Sequence, residues 1–246
     1  MLKMLDHFLS LKSDLRTFIA LTPRYAKLNQ NMYMAYDSPK SHELFGNSAY
    51  LNWGLTPLEK SLFTRHLTKP SARVLVAGCS AGRECVPLAR QGHQVTGIDY
   101  VPEMIRRADR FRADLCLEIE YRIGDIAAFS APVDSYDYIL CTILCLINPR
   151  PKRATMMEAF HHCLSPSGIL FVNYRAPYHR PIRSATLRQF LGFVNPDYTP
   201  GDCGSSHTLS HSFTEDELQE EASTCGFELI DTIAGDFCVA ALKKEA

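Results

Sequence analysis

The chain has 246 residues, 46% of them apolar, and its 26 Lys and Arg balance 27 Asp and Glu to a formal net charge of -1. That size and apolar content suit one sizeable core with decorations, and the charge balance lacks the basic excess that nucleic-acid binding requires. No apolar run reaches membrane-spanning length, the N-terminus carries charges too early for a secretory leader, and the nine scattered cysteines read as small buried hydrophobes, so a soluble, cytoplasmic protein that binds no nucleic acid and no membrane is expected.

Leu2, Leu5, Leu9, Leu11, Leu15, Phe18 and Ile19 fall at helical spacing, which predicts a helix over residues 2–21, single or broken near Ser13. Residues 22–54 are irregular and aromatic (Tyr25, Tyr33, Tyr36, Phe45, Tyr50, Trp53), with Pro39 and Gly46 as breakers, and read as an arm. Thr56-Pro57-Leu58-Glu59 then combines a capping threonine, a first-turn proline and a glutamate three residues on, which predicts a helix to about Leu67. Residues 1–69 thus form a helical cap with an aromatic arm, ahead of a main domain over 70–246.

The main domain opens on the most informative stretch. Val74, Leu75 and Val76 form a short apolar strand, a small-residue turn carries Gly78 and Gly82, a helix-length segment follows, and a second strand with Val95, Gly97 and Ile98 ends on Asp99. A glycine turn between strand and helix lets a ligand approach the backbone, while the free N–H groups of the helix point at it. An acid at the next strand end can accept both hydroxyls of a ribose, so the unit predicts a nucleoside-containing cofactor. The G-x-G-x-x-G spacing of a dinucleotide site is absent, because Ser80 stands between the two glycines.

A helix over Val101 to about Phe111 and a third strand over Leu117–Ile123 lead to Gly124-Asp125-Ile126, and Tyr136 to Thr142 reads as a fourth parallel strand whose end, Cys141 to Leu144, faces the ligand crevice. Asn148-Pro149-Arg150-Pro151 reads as a loop, 151–164 as a helix, 165–168 as a turn and 169–174 as a fifth strand. The next predicted helix opens only at the capping box Thr214-Glu-Asp-Glu217, which leaves an insertion over 175–213, far longer than usual connections. Phe227 to Ile233 and Phe237 to Leu242 close the chain as a hairpin.

The opening unit resembles motif I of the class I S-adenosylmethionine-dependent methyltransferases, through Val74, Leu75, Gly78, Cys79, Gly82, Arg83 and the acid Asp99. The chain departs from that pattern at Val76, where the family usually has an acid, a feature shared with thiopurine-methyltransferase-like branches, and at Ser80, which replaces a glycine. The resemblance implies an α/β, Rossmann-like fold: a seven-stranded, mostly parallel sheet with a C-terminal antiparallel hairpin and helices on both faces. It implies S-adenosylmethionine as cofactor, held at Gly78, Cys79, Ser80, Gly82, Asp99 and Tyr100, with Thr142 at the fourth strand end. Asp125 and Ile126 fall where the family addresses adenine; the plain alternative for Asp125 is a turn aspartate.

Other constellations are weighed the same way. Cys203, His207 and His211 have metal-compatible chemistry, but intervening glycine and serines and the lack of a fourth ligand predict no metal there, and leave the histidines to hydrogen-bond or to face substrate. His161-His162-Cys163 reads as surface or packing. The insertion arginines, Arg175, Arg180, Arg183 and Arg188, suit an acidic substrate or simple exposure. Tyr50 and Trp53 either pack the capped helix or fold over the cofactor's sulfonium, as aromatic segments do in several small-molecule methyltransferases. The substrate-binding set expected from this reading is Tyr50, Trp53, Arg175 and His207. The function so read is methyl transfer to a small molecule by direct displacement, with no catalytic base assigned. The alternatives are a catalytically decayed scaffold or regulatory protein of the same fold and a nicotinamide-dependent oxidoreductase.

Overall fold

The structure, a computed structural model, describes residues 14–176, 185–204, 208–235 and 237–245. The first part of the expected N-terminal helix, together with His179, Arg180, Arg183 and His207, lies outside the described residues.

The strands are β1 (Arg73–Ala77), β2 (Gln94–Asp99), β3 (Ile119–Ile123), β4 (Tyr136–Cys141), β5 (Leu164–Tyr174), β6 (Asp202–Gly204), β7 (Leu209–His211), β8 (Phe227–Ile233) and β9 (Cys238–Lys244). Seven of them form one sheet in the order β3-β2-β1-β4-β5-β9-β8, parallel from β3 to β5 and antiparallel at β9 and β8. The helices are α1 (described over 14–21), α2 (Tyr25–Tyr36), α3 (Pro39–Phe45), α4 (Ser48–Trp53), α5 (Pro57–His66), α6 (Cys85–Arg90), α7 (Pro102–Asp114), α8 (Arg150–Cys163), α9 (Ala185–Val194) and α10 (Glu215–Thr224).

Central parallel strands are covered on both faces and therefore read as unbroken apolar runs. On one face Leu75, Ala77, Ile139 and Cys141 meet Met156, Met157 and Phe160 of α8 and Leu218 and Ala222 of α10. On the other, Val74, Val76 and Leu140 meet Leu62 and Phe63 of α5, Val86 and Leu88 of α6 and Ile105 of α7. Each fully buried Val, Leu or Ile contributes about 1.5–3 kcal/mol. The acid that opens β4 belongs to the opposite end of the sheet from the strand tips. Asp137 accepts from the Arg73 backbone N–H at 2.9 Å and from Lys69 Nζ at 2.8 Å. Burial opposes its ionisation, yet the Arg73 and Lys69 hydrogen bonds hold its carboxyl well below the usual range.

Two expectations, the irregular arm and the second capping box, are corrected, and the insertion shows elements that the sequence reading did not assign. Residues 22–54 are not an irregular arm but three helices, because the presumed breakers are caps. Ser38 accepts from the Ser41 N–H ahead of Pro39, Asn47 accepts from the Tyr50 N–H at 2.8 Å, and Gly46 and Gly54 end α3 and α4. The insertion is also structured, since Leu187, Leu191 and Val194 of α9 pack with Leu21, Tyr25 and Leu28 of the cap, and β6 pairs with β7. Finally, the two capping boxes differ. Thr56 and Glu59 make both reciprocal bonds, whereas Thr214 accepts from the Glu217 N–H but the Glu217 carboxylate turns away to His211 Nε2 at 3.1 Å.

In the loop ahead of α8, Asn148 is buried: it is 1% exposed, its peptide bond to Pro149 is cis, and its Oδ1 accepts from Arg153 at 2.8 Å.

Candidate functional site

In the sheet, β1 has β2 on one side and β4 on the other, so the chain leaves β1 and β4 in opposite directions and opens a crevice at their carboxyl ends. A cavity of about 640 Å³ lies there. Its floor is the β1 turn (Gly78, Ser80, Arg83, Glu84), the end of β2 (Asp99, Tyr100, Val101) and the segment after β4 (Thr142 to Ile147). Asn173, Arg175, Phe237 and Val239 close the β5–β9 side, and the cap supplies the roof with Met32, Tyr36, Phe45, Tyr50 and Trp53.

Ser80 adopts φ 48°, the left-handed region, at the position where the family turn has glycine. Its N–H donates to Asp99 Oδ2 at 2.9 Å, and the Val101 N–H donates to Asp99 Oδ1 at 2.9 Å. Each carboxylate oxygen can accept two hydrogen bonds and takes one of these here, so one lone pair on each remains for a pair of hydroxyls. Burial raises the Asp99 carboxyl above its ordinary value, and the backbone N–H groups work against that rise. Val76 is fully buried in the α5–α6–α7 layer, and no side chain at that strand position lines the cavity.

Several expected cofactor residues do not line the cavity. Cys79 is fully buried, in the layer that also holds Cys85 and Tyr121. Gly82 has φ 94°, and a Cβ there would strike the Tyr121 hydroxyl, so a protein side chain occupies the space once assigned to ligand approach. Asp125 accepts from the Ala127 N–H at 2.9 Å, is half exposed and lies 3.7 Å from Lys152 Nζ, which is the turn-aspartate arrangement. The Ile126 side chain is buried in the core among α8 neighbours. Gly78 does reach the wall, with φ 76° and Ile143 packed over it.

The roof is a run of rings. Tyr36 lies 6.2 Å from Phe45, Phe45 lies 5.4 Å from Tyr50, and Tyr50 lies 6.3 Å from Trp53, while Tyr33 stacks on Tyr100 at 5.1 Å. Trp53 is 63% exposed, so it edges the roof rather than filling a core. Beneath these rings is a charged cluster that residue patterns did not single out. Arg83 donates to both oxygens of Glu59 at 3.0 Å, to Gly54 O at 2.7 Å and to Glu84, and Asn173 donates to Glu59 at 2.9 Å. Burial pushes the Glu84 carboxyl up to about 7; Arg83 opposes the rise and Glu59 adds to it. For Glu59 burial acts in the same upward direction, but the Arg83 pairing prevails and lowers it. The signals were present: Glu59 is the capping-box glutamate and Glu84 directly follows the motif arginine.

Arg175 lines the β5 side, with its guanidinium 4.7 Å from the Phe237 ring centre. His211 is completely buried away from the cavity: Nδ1 faces Asp202 at 2.7 Å and Nε2 faces Glu217. Burial lowers its basicity, yet the two carboxylates outweigh burial and raise it. His211, Glu217 and Glu221 approach one another closely enough to share a cation, but Arg153 already occupies Glu221 with hydrogen bonds of 2.7 and 3.0 Å.

The sheet order, the left-handed glycine-serine turn and the cavity at the strand ends define the class I methyltransferase fold. Residues 74–168 match the family model described as "Methyltransferase domain". The ubiquinone biosynthesis O-methyltransferases of Xylella fastidiosa (strain M23) and of Xanthomonas campestris pv. campestris (strain B100) are 34% and 28% identical over 120 residues. That stretch is 48% of this chain and 48–49% of theirs, so the match spans about half the length of these curated relatives. Among solved structures, 1,6-didemethyltoxoflavin-N1-methyltransferase of Burkholderia thailandensis superposes with a TM-score of 0.64 at 19% identity, over 90% of this chain and 89% of that one. A SAM-dependent methyltransferase of Methanosarcina mazei gives 0.64 at 20%, over 78% of this chain and 99% of that one. The chain thus has the fold of the class I S-adenosylmethionine-dependent methyltransferases, and its residues 74–168 match a methyltransferase domain.

Proposed function

We propose that this protein transfers the methyl group of S-adenosylmethionine to a small-molecule acceptor, within a methyltransferase domain over 70–246 covered by the cap at 1–69. The observation that carries the reading is the single cavity that joins the Ser80–Asp99 corner to an aromatic roof and a separate β5 wall. Asp99 would accept the ribose hydroxyls, and the Gly78–Ser80 turn would lie along the remainder of the cofactor. Ring faces of Tyr36 and Tyr50 suit a sulfonium, which is a cation, and exclude water from it. When bound, the cofactor supplies an electrophilic methyl carbon. Held by the Gly78–Ser80 turn and Asp99, it would offer that carbon to the acceptor's lone pair, with the electron pair of the carbon–sulfur bond staying on sulfur. The protein's part is alignment and desolvation, and a base is needed only for an acceptor that arrives protonated. The net charge of -1 supports an acceptor other than nucleic acid, and the seven buried free thiols support a cytoplasmic setting. Among the described residues no helix is long and apolar enough to cross a membrane.

Calorimetry with S-adenosylhomocysteine and with NAD tests the reading. Binding of the first alone is expected; binding of neither would favour a decayed scaffold, and binding of NAD alone an oxidoreductase.

A further inference from the structure

We infer that Arg175 receives a carboxylate of the methyl acceptor, which makes the acceptor a small aromatic acid; this rests on the methyl-transfer reading above. Two cations face the cavity, Arg83 and Arg175, and they differ in what already holds them. Both terminal nitrogens of Arg83 are already engaged, by Glu59, Glu84 and the Gly54 carbonyl. Arg175 has no carboxylate partner among the described residues, and its Nε is buried without any hydrogen-bond acceptor. A guanidinium presents N–H donors as a planar fork that matches a carboxylate with two parallel bonds, so an unfilled fork in a partly buried wall is a receptor for that shape.

The fork is also held in place. The Arg175 carbonyl accepts from the Phe213 N–H at 2.8 Å, its backbone bridges to Ser212, and its guanidinium lies over Phe237 at 4.7 Å. Its position separates it from the cofactor. Arg175 follows β5, which β4 separates from β1, and two strand spacings are roughly 10 Å. The cofactor strip runs the other way, from the β1 turn to Asp99 and Tyr100 at the end of β2. The space between Thr142 and Arg175 is therefore acceptor space. It is walled by Tyr36, Ile143, Leu146 and Phe237, which suits a ring between the methyl donor and the guanidinium.

The same carboxylate chemistry is available from the amino-acid end of the cofactor, and the test separates the two sources. Protein saturated with S-adenosylhomocysteine is titrated by calorimetry with 4-hydroxybenzoate, 4-hydroxyphenylacetate and 4-hydroxycinnamate, each beside its uncharged amide. At least one acid is expected to bind ten times more tightly than its amide. Arg175→Gln should abolish that difference while changing S-adenosylhomocysteine affinity less than twofold, and Arg175→Lys should keep part of the difference. The inference is overturned if no acid outbinds its amide on the wild-type protein. It is also overturned if Arg175→Gln weakens S-adenosylhomocysteine tenfold, which would assign the fork to the cofactor. A wild-type protein that fails to bind S-adenosylhomocysteine sinks the methyl-transfer reading instead, and the acid and amide pairs titrated on the protein alone still report on Arg175.

Discussion

At position 82 a side chain would collide with the Tyr121 hydroxyl, and the backbone there sits at φ 94°. Gly82→Ala therefore combines left-handed strain with overpacking, and is expected to lower stability by about 2–5 kcal/mol in urea denaturation. The Tyr121 hydroxyl is itself buried without an oxygen or nitrogen partner among the described residues, so Tyr121→Phe should be neutral or stabilising by up to about 1 kcal/mol. In the double variant Tyr121→Phe should recover part of the overpacking and none of the strain. Asp99 carries the opposite kind of demand, because its remaining lone pairs serve a ligand. Asp99→Ala should weaken S-adenosylhomocysteine at least about tenfold by calorimetry, since a charge-assisted hydrogen bond is worth about 1.5–3 kcal/mol; unchanged affinity would remove Asp99 from the cofactor site.

Among elements, α5 and the β1 turn are locked together by one carboxylate. Glu59 is fully buried and serves the Thr56 N–H, Arg83 and Asn173 at once. Glu59→Ala should cost about 3–5 kcal/mol because it leaves a buried guanidinium with only Glu84 and the Gly54 carbonyl, and thermal melting checks it. Glu84 gives the pH signature. Its folded pKa, about 7, stands above the ordinary 4.5, so the folded state binds more protons than the unfolded state between these values. Its contribution to stability is present below about pH 4.5 and is lost as pH rises through about 7. Glu84→Gln should consequently gain stability relative to wild type as pH rises from 5 to 8, and a constant gap would refute the assignment. Sequence patterns reached the elements of the sheet because each buried parallel strand, such as Val74–Val76 or Tyr138–Cys141, is an apolar run with its own turn signal. They did not reach α3 and α4, whose seven and six residues are too short for an apolar period, or the Arg83 cluster, in which Glu59 lies 24 residues from Arg83 and 114 from Asn173 and meets them only through packing.

Across the whole molecule the cap and the insertion hold each other by buried polar bonds. Asn195 is fully buried and donates to the carbonyls of Leu21 at 2.7 Å and Pro23 at 3.1 Å, and the Tyr25 hydroxyl donates to Asp202, which also holds His211. Partners about 170 residues apart leave no trace in local pattern, which is why this joint was not legible while the order of strands was. Asn195→Ala leaves the buried Leu21 carbonyl without its donor, at about 1–3 kcal/mol, and should raise hydrogen exchange in residues 21–36 while β1 and β4 stay protected. Equal exchange in both regions would show that the cap does not open separately from the sheet.

The distribution of thiols offers a practical handle on such opening. Seven of the nine cysteines are buried, Cys203 is partly covered, and only Cys116 is exposed, between α7 and the amino-terminal start of β3, on the far edge from the cavity. Burial pushes the Cys141 thiol up to about 12 and the Cys145 and Cys163 thiols up to about 11, so thiolate is scarce where access is also blocked. A maleimide dye should accordingly settle first on Cys116, leaving the ligand crevice untouched. Intact-mass spectra of the folded chain would show one adduct before a slower second at Cys203, and chemical unfolding would carry the tally to nine, turning the protein's own sulfur into a gauge of how far it has come apart.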